Sequence, residues 1–137
     1  MAKDKFHDLV ASALVAEGWK VTHDPYFLYF GEKKVAADLG LEKWIIAEKA
    51  DQKIVVEVKS FISGSLIHEL HHTVGQLDFY HLLLKKQEPD RMLFLAMPNY
   101  AYYELVLEPV VQEFLTLHQV KIILYNTDNE SIESWIN

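Results

Sequence analysis

Three side chains in the middle of the chain have the types and spacing for metal-assisted chemistry on a phosphate. Glu57 and Lys59 stand two apart in the run from Ile54 to Lys59, IVVEVK. In a strand they share one face, about 6–7 Å apart along it. Asp38 follows apolar Val35, Ala36 and Ala37, nineteen residues before Glu57. It lies across from Glu57 if the intervening strands pair in order. Two carboxylates beside an ammonium offer hard oxygen ligands to Mg2+ or Mn2+. Mg2+ keeps several waters, so two protein carboxylates are enough. A water activated by such an ion attacks a phosphodiester, and the Lys59 ammonium orients it or offsets the charge that develops. The plainer alternative puts Glu57 and Lys59 on the solvent side of an amphipathic strand, with Asp38 in a turn.

A second pattern competes. His68, Glu69, Leu70, His71 and His72 read H-E-x-x-H. On a helix His68 and His72 share a face and suit Zn2+, with Glu69 as general base. A zinc metallohydrolase needs a third ligand, and His71 points about 100° away from His72. His81 and His118 are the remaining candidates. The alternative is a polar, His-rich helix surface.

The elements that must position these residues follow from periodicity. Phe6, Leu9, Val10, Ala13 and Leu14 recur at helical spacing, and Gly18 stands where a cap belongs, which predicts a helix over Lys3–Glu17. Strands are predicted at Trp19–Thr22, Lys34–Leu39, Trp44–Lys49 and Lys53–Ser60, with Ala50, Asp51 and Gln52 turning between the last two. Asp24–Gly31 reads as strand or loop. A helix over Ser65–Lys86 carries Leu70, Val74, Leu77, His81 and Leu84 as its core stripe. Arg91–Met97 and Val120–Tyr125 read as core strands, and Glu130–Asn137 as an edge strand. Between them a helix over Tyr100–Leu117 should kink or split at Pro109. The order implies a mixed α/β sheet covered by helices.

The 137 residues suit a single domain, 1–137; half of them are apolar and none is cysteine. A disordered chain would be poorer in apolar residues. The absent cysteines exclude a thiol nucleophile and Cys-based metal sites, and fit a cytoplasmic protein. No apolar run is long enough for a membrane helix, and the charged start has no signal-peptide stretch. A net charge of −7 weighs against a permanently bound nucleic-acid protein but not against an enzyme whose carboxylates hold a cation. Tyr26, Phe27, Tyr29 and Phe30, and Tyr100, Tyr102 and Tyr103, are candidates for base stacking or, more simply, for core and interface packing. The small aromatic-rich chain is expected to form a homodimer or to bind a dedicated partner.

The pair Ala37-Asp38 and the triplet Glu57, Val58, Lys59 resemble the PD-(D/E)xK nuclease superfamily, with Ala37 in place of its proline. More narrowly, VVEVKSF (55–61) followed by GQLDFY (75–80) resembles the XisH family, the cyanobacterial fdxN element excision controlling factors. The resemblance implies a restriction-endonuclease-like mixed sheet flanked by helices. It makes Asp38 and Glu57 metal ligands, Lys59 the catalytic lysine, and Gln76 a helix-borne amide that binds a phosphate or a water. It places His7, with Asp8 beside it, where many members carry a first-helix glutamate.

The function so implied is that of a Mg2+- or Mn2+-dependent endonuclease-like protein on DNA. It would act in or control excision of a DNA element, alongside a recombinase or an XisI-type partner. The alternatives are a non-catalytic accessory protein that keeps the nuclease fold, and the H-E-x-x-H metallohydrolase.

Overall fold

The computed structural model describes residues 3–137; the first two residues of the expected domain and of its charged start lie outside the described residues. The chain runs α1 (His7–Ala16), β1 (Lys20–His23), β2 (Tyr26–Phe30), β3 (Lys33–Ala37), β4 (Leu39–Ile45), β5 (Ala50–Val58), α2 (Leu66–Gln87), β6 (Met92–Pro98), α3 (Asn99–Leu105), α4 (Pro109–Leu117), β7 (Ile122–Asn126) and β8 (Ser131–Ile136). Six strands form one mixed sheet in the order β1-β4-β5-β6-β7-β8, and β2-β3 form a separate hairpin. The β5-β6 and β6-β7 pairs are parallel, and the other pairs are antiparallel. This is the expected restriction-endonuclease-like mixed sheet flanked by helices.

Burial on both faces explains the apolar middle strands. Val10 and Leu14 of α1 pack with Ile54, Val56 and Val58 on one face. On the other, Leu70, Val74 and Leu77 of α2 pack with Leu95 and Met97. Ile54, Val56 and Val58 do share a face, opposite Val55 and Glu57, but that second face is covered too: Val55 lies in a third cluster with Tyr26, Leu28, Leu83 and Leu84. Parallel strands fed by crossover helices are expected to be apolar on both sides in this way.

Four sequence expectations shift. First, α1 begins at His7 instead of Lys3. The Asp4 carboxylate accepts from its neighbour Phe6 N–H at 2.9 Å and from Ser60 N–H at 2.9 Å. That side-chain turn competes with helix and ties the N-terminal segment to the end of β5. Second, the strand expected over Lys34–Leu39 is broken at Asp38: β3 belongs to the hairpin and β4 to the main sheet. Third, the β4–β5 turn falls at residues 46–49, with Lys49 at φ +51, and not at Ala50–Gln52. The earlier turn sets Leu39 against Val56 and Leu41 against Ile54, which buries all four. Fourth, His81 is only half-buried; Tyr80 and Leu83 join the α2 core instead.

Other features match. Ser65 caps α2, accepting from His68 N–H at 3.2 Å. Pro109 splits the last helical segment and stands as the first residue of α4, where its missing N–H costs nothing. The 130–137 tail supplies edge strand β8. The 26–30 aromatics form β2, with Tyr26 and Leu28 buried against α2. Tyr29, Tyr100 and Tyr103 remain exposed. No helix among the described residues is long and apolar enough to cross a membrane.

Candidate metal centre

The break between β3 and β4 puts Asp38 at the place where the chain passes from the hairpin to the main sheet. One step beyond the Leu39–Val56 pair, the antiparallel register brings it opposite Glu57. Two crossed hydrogen bonds fix the pair. Asp38 N–H donates to Glu57 Oε1 at 3.2 Å, and Val58 N–H donates to Asp38 Oδ2 at 2.7 Å. Lys59 Nζ stands 3.5 Å from Glu57 Oε2. The Lys59 backbone is held on both sides: its N–H donates to Ala96 O at 2.9 Å, and its carbonyl accepts from Tyr125 Oη–H at 2.7 Å.

Asp38, Glu57 and Lys59 therefore come together as the spacing predicts. The solvent-face alternative fails for Glu57, whose side chain is 6% exposed. Burial, followed by the Asp38 charge, pushes the Glu57 carboxyl up from 4.5 to about 8, against the opposing pull of Lys59. A carboxylate pair held this close favours either a shared proton or a cation.

Gln76 stands on α2 one turn before Tyr80. It donates to Tyr80 Oη at 2.8 Å, while its own Oε1 is buried without a partner. Tyr80 in turn donates to Ala36 O at 3.3 Å, two residues before Asp38. Burial first, and then the Glu57 charge, push its phenol up to about 12. Gln76 is thus bound to the wall of the site through Tyr80, with a free acceptor.

The first-helix position falls to His7. Its ring is 3% exposed, with Nε2 at 3.0 Å from Asp24 Oδ1 and Nδ1 at 3.6 Å from Asp38 Oδ1. Asp8, the neighbouring candidate, is 89% exposed and faces Lys3 at 3.8 Å. Sequence reasoning missed Asp24. The Asp-Pro pair there signals a turn and gives no hint of a partner seventeen residues upstream. It also missed Asp4, whose bond to Ser60 draws the start of α1 toward the site. A recess of 130 Å³ opens beside Asp38, lined by Lys3, His7, Asp24, Pro25 and Ala37 among others. A separate cavity of 200 Å³, lined by Asp78, His81, Arg91 and His118, shares none of these residues.

The H-E-x-x-H residues do not form a centre. His68, His71 and His72 are exposed on α2, and His118 is engaged by Asp78 at 2.9 Å. Among the described residues no three His, Asp or Glu side chains are already gathered as a metal-holding group. At Asp38 and Glu57 the donor set still suits a hard divalent ion: two carboxylates, a lysine beside them, and in His7 Nδ1 a buried nitrogen without a hydrogen-bond partner.

With this geometry in hand, comparison with known proteins is specific. No curated protein matches the chain. A solved XisH family protein from Nostoc punctiforme is 35% identical, with a TM-score of 0.87 over 98% of this chain and 100% of its own. A solved fdxN element excision controlling factor protein from Anabaena variabilis is 37% identical, with a TM-score of 0.86 over 96% of this chain and 98% of its own. The family model for XisH protein matches residues 1–133. The chain belongs to the XisH family.

Proposed function

We propose that this XisH protein is a divalent-metal-dependent, endonuclease-like protein that acts on DNA in, or in control of, the excision of a DNA element. The observation that carries the reading is the crossed pairing of Asp38 and Glu57 with Lys59 3.5 Å from Glu57. The excision role draws on the similar Anabaena protein. An XisI-type protein or a recombinase as partner follows from the sequence resemblance.

In this reading Asp38 and Glu57 hold Mg2+ or Mn2+, which supplies an acidified water and positive charge beside the scissile phosphate. The remaining work belongs to the chain. Glu57 must give up the proton that its burial favours before it can act as an oxygen ligand. The Lys59 ammonium, fixed by its backbone bonds, faces the charge that builds on the phosphate oxygens. Gln76 is held by Tyr80 at the wall of the site, with its Oε1 left unpaired. The β2-β3 hairpin and α2 cover the Glu57 face and limit bulk water there.

The test is cleavage of supercoiled, linear, branched and single-stranded DNA with Mg2+ or Mn2+, by wild type, Asp38→Asn and Glu57→Gln. Metal-dependent cleavage lost in both variants supports the assignment; undiminished cleavage in either overturns it. A second reading, an accessory protein without turnover, draws on the net charge of −7 and on the imidazole at position 7. Metal binding with no cleavage of any substrate would select it.

A further inference from the structure

The β2-β3 hairpin turns aromatic rings toward water. Alternate residues of a strand share a face. Tyr26 and Leu28 are buried between the hairpin and α2, so Phe27 and Tyr29 point outward, and Tyr29 is 57% exposed. Their cross-strand partners, Ala36 and Lys34, share that outer face. The Lys34 ammonium stands 4.1 Å from the centre of the Phe27 ring. It forms no ion pair among the described residues. Ala36 lines the recess beside Asp38, so the outer face leads from Tyr29 and Lys34 into the candidate metal centre. Gln87 of α2 fixes the backbone between the two rings: its amide donates to Phe27 O at 2.9 Å and accepts from Tyr29 N–H at 3.1 Å. These bonds occupy the edge groups of β2 that an added protein strand would need. The ring face is the surface left to a partner.

We propose that this outer face is a stacking platform for an unpaired DNA strand, with a base on Tyr29 and a phosphate at Lys34, and that it leads the strand into the recess at Asp38. The inference rests on the metal-centre reading, because Asp24 and Asp38 at the recess repel an entering phosphate unless a cation is held there. Exposed aromatics beside a free cation are the parts with which proteins hold single strands, base by base. A duplex offers no such purchase, since its neighbouring bases already cover each other's faces. Charge points the same way. With a net charge of −7 and one free lysine on this face, few phosphates are neutralised, so stacking must supply most of the affinity. Four residues of extended chain, about 13 Å, separate Lys34 from Asp38. The stacked base therefore belongs to a nucleotide near the cleaved bond but not at it. A cross-strand pair of tyrosine and lysine also steadies a hairpin, and the experiment separates the two roles.

The experiment is fluorescence anisotropy on the full chain with Ca2+ in place of a catalytic ion, so that DNA is bound without being cut. The probes are a labelled single strand of mixed sequence, an abasic strand of the same length and the matching duplex. The wild type should bind the mixed strand about tenfold or more tighter than the abasic strand or the duplex. Tyr29→Ala should lose about tenfold on the mixed strand and nothing on the abasic one, while Tyr29→Trp keeps or improves wild-type binding. Lys34→Gln should weaken both single strands alike and lower the salt slope by about one. Thermal melts accompany each variant; an unfolded Tyr29→Ala leaves Tyr29→Trp and the abasic strand to decide. Equal affinity for mixed and abasic strands, or undiminished binding by a folded Tyr29→Ala, overturns the inference. So does a Tyr29→Ala that halves the mass by light scattering with DNA binding unchanged, which gives the face to a second copy of the chain. Metal-dependent cleavage that persists beside any of these results leaves the metal centre standing. Single-strand binding that depends on Tyr29, without cleavage of any substrate, supports the platform and selects the accessory reading.

Discussion

Glu57 is the residue on which burial and function pull in opposite directions. Its carboxyl is raised from 4.5 to about 8, chiefly by burial and then by Asp38. Between those two values the folded chain holds a proton that the unfolded chain has released. Stability without metal therefore falls as pH rises through that window, by an amount on the order of a few kcal/mol. Thermal melts in chelator between pH 5 and 9 should show this slope in the wild type. Glu57→Gln should flatten it and raise stability at the alkaline end; an unchanged slope would mean that another group carries it. Lys59→Met keeps the apolar stem and removes the charge. It should cost about 10²–10³ in cleavage rate while calorimetric Mn2+ affinity changes little; a matching loss of affinity would make Lys59 structural. At Asp38, asparagine is a cleaner substitution than alanine, because alanine would leave the Val58 N–H that Asp38 now accepts without its partner. Glu57 and Lys59 were legible as a pair because strand periodicity puts both on one face, whereas Asp38 followed only on the condition that the strands pair in order. The bond from Asp24 to His7 was not legible, since it joins residues from two elements whose mutual packing no local pattern encodes.

What positions these residues is the junction of β3 and β4. Next to it, Gly40 is buried against Tyr26 and His23. A Cβ there would come within 2.9 Å of Tyr26 Cδ2 and 3.0 Å of His23 Cβ. Gly40→Ala must push the hairpin off β4 and should cost about 1–3 kcal/mol. Denaturant melts read that loss, and Mn2+ affinity should fall with it because Asp38 lies two residues away. A change within a few tenths of a kcal/mol would show that the hairpin is loosely seated. The helices and buried strands were legible from their apolar spacing. The β4–β5 turn was not, because Ile46, Ala47, Glu48 and Lys49 include none of the usual turn formers, whereas Asp51 made Ala50–Gln52 the better local candidate. Register was decided by burial of Leu39 and Leu41 against Val56 and Ile54, a long-range effect. The split at Asp38 escaped for the same reason: which sheet each half joins is decided by long-range pairing that the local sequence does not carry.

The whole molecule carries two kinds of aromatic surface. The rings of Tyr26 and Phe30 complete the monomer by packing on α2. Tyr29, Trp44, Tyr100 and Tyr103 stay exposed, and exposed aromatics are enriched at interface cores. A homodimer remains the expectation, with a mass by light scattering of twice the 15.9 kDa chain; a monomer mass at every micromolar concentration contradicts it. Two sites related by a two-fold axis would each address one strand of an antiparallel duplex. The most direct test of the metal centre is anomalous diffraction from crystals soaked in Mn2+. A peak about 2.1–2.2 Å from both an Asp38 and a Glu57 carboxylate oxygen is the predicted result. A peak at His68 and His72 instead, or well-ordered Asp38 and Glu57 side chains with no peak between them, would contradict it.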